Sequence, residues 1–189
     1  MHVGLYFGSF NPIHIGHLII ASYARHTTEL EQVWLVPSPQ NPLKHSATLL
    51  NEYHRLHLVQ ISIEGDPNLR VTDIEFHLPK PSYTIDTLTY LQEKYPHHTF
   101  SIIMGSDSFT NIHKWKNYQT LLTNHKIFVY NRPGFSITET HGAILEIIEA
   151  PLLSISSTQI RAMIRQQIPI RYLVPDAAAK EIMDNNYYR

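Results

Sequence analysis

Two histidines near the start of the chain are spaced so that both side chains could act on one ligand. His14 and His17 lie in the segment LYFGSFNPIHIGH, which opens with a strand-like apolar run and continues through Gly8 and Ser9. Small residues at that point permit a tight turn and close approach of a ligand to the backbone. A helix that begins near Gly16 places both imidazoles at or near its first turn, where unpaired N–H groups attract phosphate.

The spacing of the two histidines is compatible with a phosphate site, a metal site or a purely structural role. A metal site needs at least one further ligand, and no carboxylate lies close in the sequence. The small turn, the helix start and the lack of a nearby acid favour phosphate. The chain contains neither the G-x-x-x-x-G-K-[ST] run of P-loop proteins nor the G-x-G-x-x-G fingerprint of dinucleotide-binding folds.

A second candidate phosphate site lies towards the other end of the chain, in the segment ISSTQIR. Ser156, Ser157 and Thr158 precede a helical pattern and can cap its first N–H groups. Arg161 follows one turn later, so that hydroxyls, N–H groups and a guanidinium would lie together and could bind an anion. The alternative is a helix that is simply well capped. Two such sites in one domain suggest a polyphosphate that is held from both sides.

The elements that must position these residues are an alternation of short apolar and longer amphipathic segments. The apolar segments predict strands at His2–Phe7, Gln32–Val36, Leu69–Thr72, Phe100–Met104 and Lys126–Tyr130. The amphipathic segments predict helices at Gly16–Arg25, Glu52–Ile63, Thr84–Tyr95, Asn117–Leu122, Thr158–Gln166 and Asp176–Asn185. This alternation predicts an α/β fold with a doubly wound, mostly parallel, Rossmann-like sheet of five or six strands and C-terminal helices. The turn after the first strand then lies where such sheets bind ligands.

Length and composition narrow the class of protein. The 189 residues fit one domain, 1–189, with a small helical C-terminal part at 156–189. The net charge of −1 makes nucleic acid and anionic membranes unexpected partners. The sequence has no cysteine, which excludes disulfides and thiolate catalysis. We find neither a signal peptide nor a membrane-spanning run, so we expect a cytoplasmic protein.

The two motifs together carry a resemblance to a known family. GSFNPIHIGH resembles the G-x-F-x-P-x-H-x-G-H signature of HxGH nucleotidyltransferases, and ISSTQIR resembles the second signature of the nicotinate and nicotinamide mononucleotide adenylyltransferases. The segments SPQNPLK, SYTIDTL, IIMGSDSF and IRYLVP fall in the family's order, so the resemblance covers nearly the whole chain. HIGH alone also resembles class I aminoacyl-tRNA synthetases, but their lysine loop is missing. The resemblance is strongest to bacterial nicotinate-nucleotide adenylyltransferases.

The resemblance implies adenylyl transfer from ATP to nicotinate mononucleotide, which yields nicotinate adenine dinucleotide and pyrophosphate in NAD biosynthesis. It implies that His14, His17 and Arg161 are catalytic, with His17 nearest the α-phosphate. It further implies that Mg²⁺ is bound through the ATP phosphates and has no dedicated protein site. The rival functions are adenylyl transfer to another acceptor, such as phosphopantetheine, and a nucleotide-binding module without catalysis.

The same resemblance assigns the binding residues. The ATP-binding residues would be Gly8, Ser9, Phe10, His14, Gly16, His17, Gly105, Asp107, Ser157, Thr158 and Arg161. The mononucleotide-binding residues would be Lys44, Tyr83, Thr84 and Trp115. Backbone N–H groups around Thr84 and Trp115 are the expected donors to the pyridine carboxylate, with Lys116 as a longer-range aid.

Several of these residues also have a structural explanation. Lys44 could be a solvated loop lysine, Trp115 a core residue and Asp107 the N-cap of a helix. We expect Arg55, in the helix after the proline-containing loop, to be structural and paired with an acidic side chain. The sequence leaves open whether the protein is a monomer or a homo-oligomer.

Overall fold

A computed structural model describes residues 1–40 and 48–189. Within them, six strands form one sheet: β1 (His2–Gly8), β2 (Gln32–Pro37), β3 (Leu69–Val71), β4 (Thr99–Gly105), β5 (Ile127–Tyr130) and β6 (Leu145–Ile148). All neighbouring strands are parallel, in the order β3-β2-β1-β4-β5-β6. The prediction of an α/β, Rossmann-like sheet is therefore confirmed. The strand order reverses between β1 and β4, and open α/β sheets bind ligands outside the carboxyl ends of the strands at such a point.

The helices agree closely with the predicted ones. They are α1 (Ile15–Thr27), α2 (Glu52–Ser62), α3 (Thr84–Lys94), α4 (Ser106–Phe109), α5 (Tyr118–Asn124), α6 (Ser157–Arg165) and α7 (Asp176–Asp184), with 3₁₀ turns at Ile74–His77 and Ile112–Lys114. The sequence pattern predicted neither β6 nor α4. Each has only four residues, which is too short for either hydrophobic period to be recognised.

Both faces of the central strands are buried. On one face, Val3 and Leu5 of β1 pack with Leu88 of α3. On the other, Tyr6 packs with Ile20 of α1. This two-sided burial explains why the central strands are apolar along almost their whole length.

The last two helices extend the core next to α2. Ile160 of α6 and Ile182 of α7 pack with Leu58 of α2 in one buried cluster. The Tyr187 hydroxyl lies 2.9 Å from His54 Nδ1, which adds a polar contact between the same two regions. This packing places the start of α6 against the turn after β1. In the described part of the chain, no helix is long and apolar enough to span a membrane.

Candidate active site

The turn that follows β1 is built around one aromatic ring. Phe10 is buried and has a left-handed φ of 42°. Its ring packs edge-on against Tyr6 and His17, with centroid distances of 5.8 and 5.0 Å. A Cβ atom on Gly8 would lie 2.9 Å from the Phe10 ring, so any larger residue would displace that ring. The turn thereby brings the backbone of Gly8 and Ser9 to the edge of a cavity.

His14 and His17 form a stacked pair at the start of α1. Their ring centroids are 3.7 Å apart, and the planes differ by 24°. The backbone N–H of His14 donates to Nδ1 of His17 at 3.2 Å. An accepting Nδ1 carries no proton, so the neutral His17 ring carries its proton on Nε2. A Cβ on Gly16 would lie 3.0 Å from His14 Nδ1, so glycine at that position leaves room for the stack.

The environment of His14 disfavours a charged imidazole. The side chain is 4% exposed, and Nδ1 has no hydrogen-bond partner among the described residues. Burial, and to a lesser extent the positive charge of Arg132, lowers the pKa of His14 to about 4. The ring is therefore neutral near pH 7 in the free protein. A phosphate bound beside it would favour the protonated form.

We expect His14 to make the protein less stable in mild acid. The unfolded chain binds a proton at His14 near pH 6.5, whereas the folded chain does so only near pH 4, so stability falls as pH decreases through this window. At pH 5 the loss attributable to this residue is about 2 kcal/mol. His14→Gln should remove that part of the acid sensitivity in urea unfolding curves recorded at pH 7 and pH 5. His26→Gln, at an exposed position of the same helix, is the matched control; equal acid sensitivity of the His14 variant and the unaltered protein would contradict this assignment.

The hydroxyl groups of the segment ISSTQIR have two different roles, helix capping and contact with a distant segment. Ser156 is the N-cap of α6, and its Oγ accepts from the N–H of Gln159 at 3.2 Å. The predicted capping role is therefore confirmed. Ser157 Oγ instead donates to the carbonyl of Pro12 at 2.9 Å. This bond joins the start of α6 to the turn after β1.

Arg161 makes a second link between the two motifs. Its Nη1 donates to the carbonyl of Asn11 at 2.7 Å, and its Nη2 lies 3.3 Å from Thr158 Oγ1. Its Nε is buried and has no partner within the described ranges. Asn11 in turn holds the chain beyond the proline-containing loop, because its Oδ1 accepts from the N–H of Leu50 at 3.1 Å. The residues that cap α6 and the residues predicted to bind phosphate therefore belong to one arrangement, which the turn after β1 also joins.

A cavity of about 700 Å³ lies at the carboxyl ends of β1 and β4. Seven of the predicted site residues line it: Gly8, Ser9, Tyr83, Thr84, Gly105, Asp107 and Trp115. A smaller adjoining pocket is lined by His14, Gly16 and His17, and Tyr6 and Tyr130 border both spaces. Of the other predicted residues, Phe10, Ser157, Thr158 and Arg161 are not among the residues lining either space, and Lys44 lies outside the described residues.

The wall formed by residues 83–86 and 115–116 shows which donors are available. Trp115 packs against the core and also faces the cavity. Its backbone N–H already donates to the carbonyl of Ile112 at 2.9 Å. Thr84 is the first residue of α3, and its N–H precedes the first intrahelical bond. The Lys116 ammonium pairs with Asp86 at 2.8 Å and lies 4.8 Å from the Tyr83 ring centroid. Thr84 rather than Trp115 or Lys116 is therefore the donor suited to a carboxylate.

Comparison with known proteins agrees with this arrangement. Residues 5–163 match the cytidylyltransferase-like family. The chain is 48% identical over 192 residues to a probable nicotinate-nucleotide adenylyltransferase of Flavobacterium psychrophilum, with 100% of both chains covered. A protein of the same description from Cytophaga hutchinsonii is 46% identical, covering 100% of this chain and 98% of its own. The chain belongs to the nicotinate-nucleotide adenylyltransferase family.

A solved structure shows the same fold. The nicotinic acid mononucleotide adenylyltransferase of Plasmodium falciparum, in complex with NaAD, superposes with a TM-score of 0.85 at 23% identity, covering 99% of this chain and 97% of that one. A structure of the Plasmodium protein complexed with APC gives a TM-score of 0.83 at 23% identity, covering 99% and 96%. At 23% identity, these structures show that the two proteins share a fold.

Arg132 lines the smaller pocket with His14 and His17 and was not predicted from the sequence. Its Nε lies 3.7 Å from Asp107 Oδ1, and its backbone N–H donates to Ser106 Oγ at 2.9 Å. Asp107 is the second residue of α4, whose N-cap is Gly105, so the alternative in which Asp107 is an N-cap is wrong. Arg132 follows the end of β5, and the rule that ligands bind at carboxyl ends of strands is the signal that could have found it.

Arg55 holds two turns of the site together. It is fully buried, and its guanidinium donates to the carbonyls of Leu50 (2.8 Å), Ser9 (2.6 Å), Ser38 (2.8 Å) and Pro39 (3.1 Å). The expectation of an acidic partner is therefore wrong, because backbone carbonyls satisfy this cation. Arg55 connects the turn after β1 with the chain leaving β2, and so fixes the separation of two edges of the site.

Proposed function

We propose that the protein transfers the adenylyl group of ATP to nicotinate mononucleotide in NAD biosynthesis. A phosphate oxygen of the mononucleotide attacks the α-phosphorus of ATP, the bond to the β-phosphate breaks, and nicotinate adenine dinucleotide and pyrophosphate leave. The observation that carries this proposal is the union of two phosphate-binding motifs at one turn, beside a cavity of about 700 Å³. It is supported by relatives described as nicotinate-nucleotide adenylyltransferases.

His14 and His17 act on the α-phosphate. In-line phosphoryl transfer depends mainly on positioning and on stabilising charge at the phosphate oxygens. The bond from the His14 N–H fixes the His17 ring and directs the proton to Nε2, which can donate to an oxygen of the transferred group. His14, neutral in the free protein, gains a proton more readily once the triphosphate is bound.

The second motif holds the β- and γ-phosphates through Ser157, Thr158 and Arg161. A guanidinium has five N–H donors, and the contacts to Asn11 and Thr158 engage two of the nitrogen atoms of Arg161. The remaining donors can bind phosphate while the bond to the Asn11 carbonyl persists. ATP binding and the geometry of the turn after β1 are thereby coupled. The backbone of Gly8 and Ser9 lies close enough to the cavity to contact the nucleotide.

The large cavity receives the mononucleotide. Trp115 stacks on the pyridine ring, Tyr83 and Thr84 line the ring's pocket, and the N–H of Thr84 donates to the pyridine carboxylate. Asp107, held by Arg132, lies in the same cavity and binds ribose hydroxyls of ATP. Lys44 contacts the mononucleotide phosphate; this role and the cytoplasmic location stay predictions.

Magnesium fits the site as a companion of the triphosphate. Among the described residues, no group of three His, Cys, Asp or Glu side chains could hold a metal ion. Asp107 lines the cavity and can accept a hydrogen bond from a metal-bound water. Mg²⁺ keeps several waters and binds readily to phosphate oxygens, where it neutralises developing charge.

We expect kcat/KM for nicotinate mononucleotide to exceed that for the nicotinamide form by at least about tenfold, or about 1.4 kcal/mol. A carboxylate accepts hydrogen bonds at both oxygens, whereas an amide whose oxygen meets the Thr84 N–H turns its NH₂ towards the other unpaired N–H groups at the start of α3, at a cost of about 1–3 kcal/mol for each donor left unpaired. The measurement is formation of dinucleotide and pyrophosphate from ATP and Mg²⁺ with each mononucleotide in parallel. Phosphopantetheine serves as the control acceptor.

The three acceptors in that assay distinguish the choice of substrate from the reaction itself. Equal efficiency with both mononucleotides, or preference for the amide, would contradict the choice of substrate and leave adenylyl transfer standing. Turnover with phosphopantetheine alone would favour the rival acceptor. Nucleotide binding without pyrophosphate release in any arm would show a binding module instead of an enzyme.

A further inference from the structure

A buried carboxyl group in the wall of the large cavity has no part in the scheme above. Glu75 lies in the 3₁₀ turn Ile74–His77, between β3 and α3. It is 2% exposed, yet it lines the cavity together with Tyr83 and Thr84. Burial raises the pKa of Glu75. A buried acid is costly unless its oxygens are hydrogen-bonded, so the partners of Glu75 indicate what the carboxyl group holds.

Both oxygens of Glu75 bind hydroxyls that flank the pocket for the pyridine ring. Ser82 Oγ donates to Oε2 at 2.8 Å, and Thr87 Oγ1 lies 3.0 Å from Oε1. Tyr83 and Thr84 lie between Ser82 and Thr87 in the sequence. The carboxyl group therefore fixes the pocket segment on both sides.

The start of α3 needs such an anchor. Tyr83 is its N-cap, but the Tyr83 side chain makes no capping hydrogen bond. Ser, Thr, Asp and Asn usually secure a helix start through such a bond. The position of the first N–H groups of α3 therefore depends on contacts from outside the helix. Thr87 Oγ1 also lies 3.3 Å from the carbonyl of Tyr83, so the single hydroxyl proton of Thr87 faces two acceptors, the Glu75 carboxyl group and the carbonyl of the N-cap residue.

We propose that Glu75 is a positioning residue for the mononucleotide: it holds Tyr83 and Thr84 where they meet the pyridine ring and its carboxylate. This inference rests on the proposed function. Recognition of a small polar group requires that its donors be held to within about 0.5 Å. The carboxyl group acts through Ser82 and Thr87 and does not touch the reacting phosphates.

The test removes the hydrogen bonds of Glu75 by changing either the carboxyl group or one of its hydroxyl partners. Ser82→Ala and Thr87→Val each delete one hydroxyl with little change in volume, and Glu75→Gln keeps the shape of the carboxyl group. Glu93→Gln, at an exposed position of α3, is the matched control. We expect the two hydroxyl variants to raise KM for nicotinate mononucleotide about tenfold, as for one lost buried hydrogen bond. The KM for ATP should stay within about twofold, and Glu75→Gln should lie between the hydroxyl variants and the unaltered protein.

A merely structural role predicts a different pattern. It would lower the melting temperature and the fraction of active enzyme without separating the two KM values, and this result would overturn the proposal. An unchanged mononucleotide KM in folded Ser82→Ala and Thr87→Val variants would also overturn it, even if Glu75→Gln fails to fold. The same assay of the unaltered protein tests the proposed function separately, because absence of dinucleotide product there contradicts adenylyl transfer and not the role of Glu75.

Discussion

Replacing His17 by alanine is expected to lower kcat by a factor of about 10²–10³, or about 2.7–4 kcal/mol, as for the loss of one donor to a developing charge. The Nε2 proton of His17 is directed by the bond from the His14 backbone to Nδ1. The ring is also held between Phe10 and the stacked ring of His14. An interaction formed mainly in the transition state affects kcat more than KM. The measurement is steady-state kinetics with ATP varied at saturating mononucleotide.

Two further variants make this result specific. His17→Gln can place an amide N–H near the position of Nε2 and should recover part of the lost rate. His26→Ala removes an exposed imidazole from the last turn of the same helix and should keep full turnover. A His17→Ala enzyme with near-normal kcat would remove His17 from the mechanism.

Arg161→Ala is expected to lower kcat/KM for ATP by about 100-fold, because a hydrogen-bonding group to a charged ligand contributes about 1.5–3 kcal/mol. From the sequence alone, phosphate binding and helix stabilisation are alternative roles for Arg161. The bond to the Asn11 carbonyl at 2.7 Å shows that a structural contribution exists as well. We therefore also expect the free energy of unfolding to fall by about 1 kcal/mol without ligand. Kinetics and urea unfolding of the same variant measure both effects.

The comparison that isolates the phosphate role uses two arginines of one helix. Arg165→Ala removes an exposed charge from the last turn of α6, and exposed charges contribute little to stability. It should leave both ATP kinetics and stability nearly unchanged. Arg161→Lys keeps the charge but lacks the planar fork, so it should recover only part of the activity. Unimpaired ATP kinetics in Arg161→Ala, with stability alone reduced, would assign this residue to the fold.

The fold could be predicted from the sequence because short-range patterns of apolar residues indicate where each strand and helix lies. The five predicted strands and six predicted helices all occur in the structure, since apolar residues repeat with the period of each element. The motif at His14 and His17 could be assigned to a strand-to-helix turn for the same reason. The exceptions, β6 and α4, have four residues each and provide no full period.

The partners of the polar side chains follow from the packing of distant segments and could not be predicted from the sequence. The sequence gives no signal that Arg161 donates to Asn11, 150 positions away, or that Arg55 is satisfied by four carbonyls and no acid. Glu75 stands in a short turn without a motif, and its role follows from hydroxyls that packing brings to it. Hydrogen bonds of this kind depend on distances of a few ångströms between segments that are far apart in the chain. The hydrophobic period indicates which face of a strand or helix is buried. It does not indicate which polar atoms of other segments form hydrogen bonds at that face.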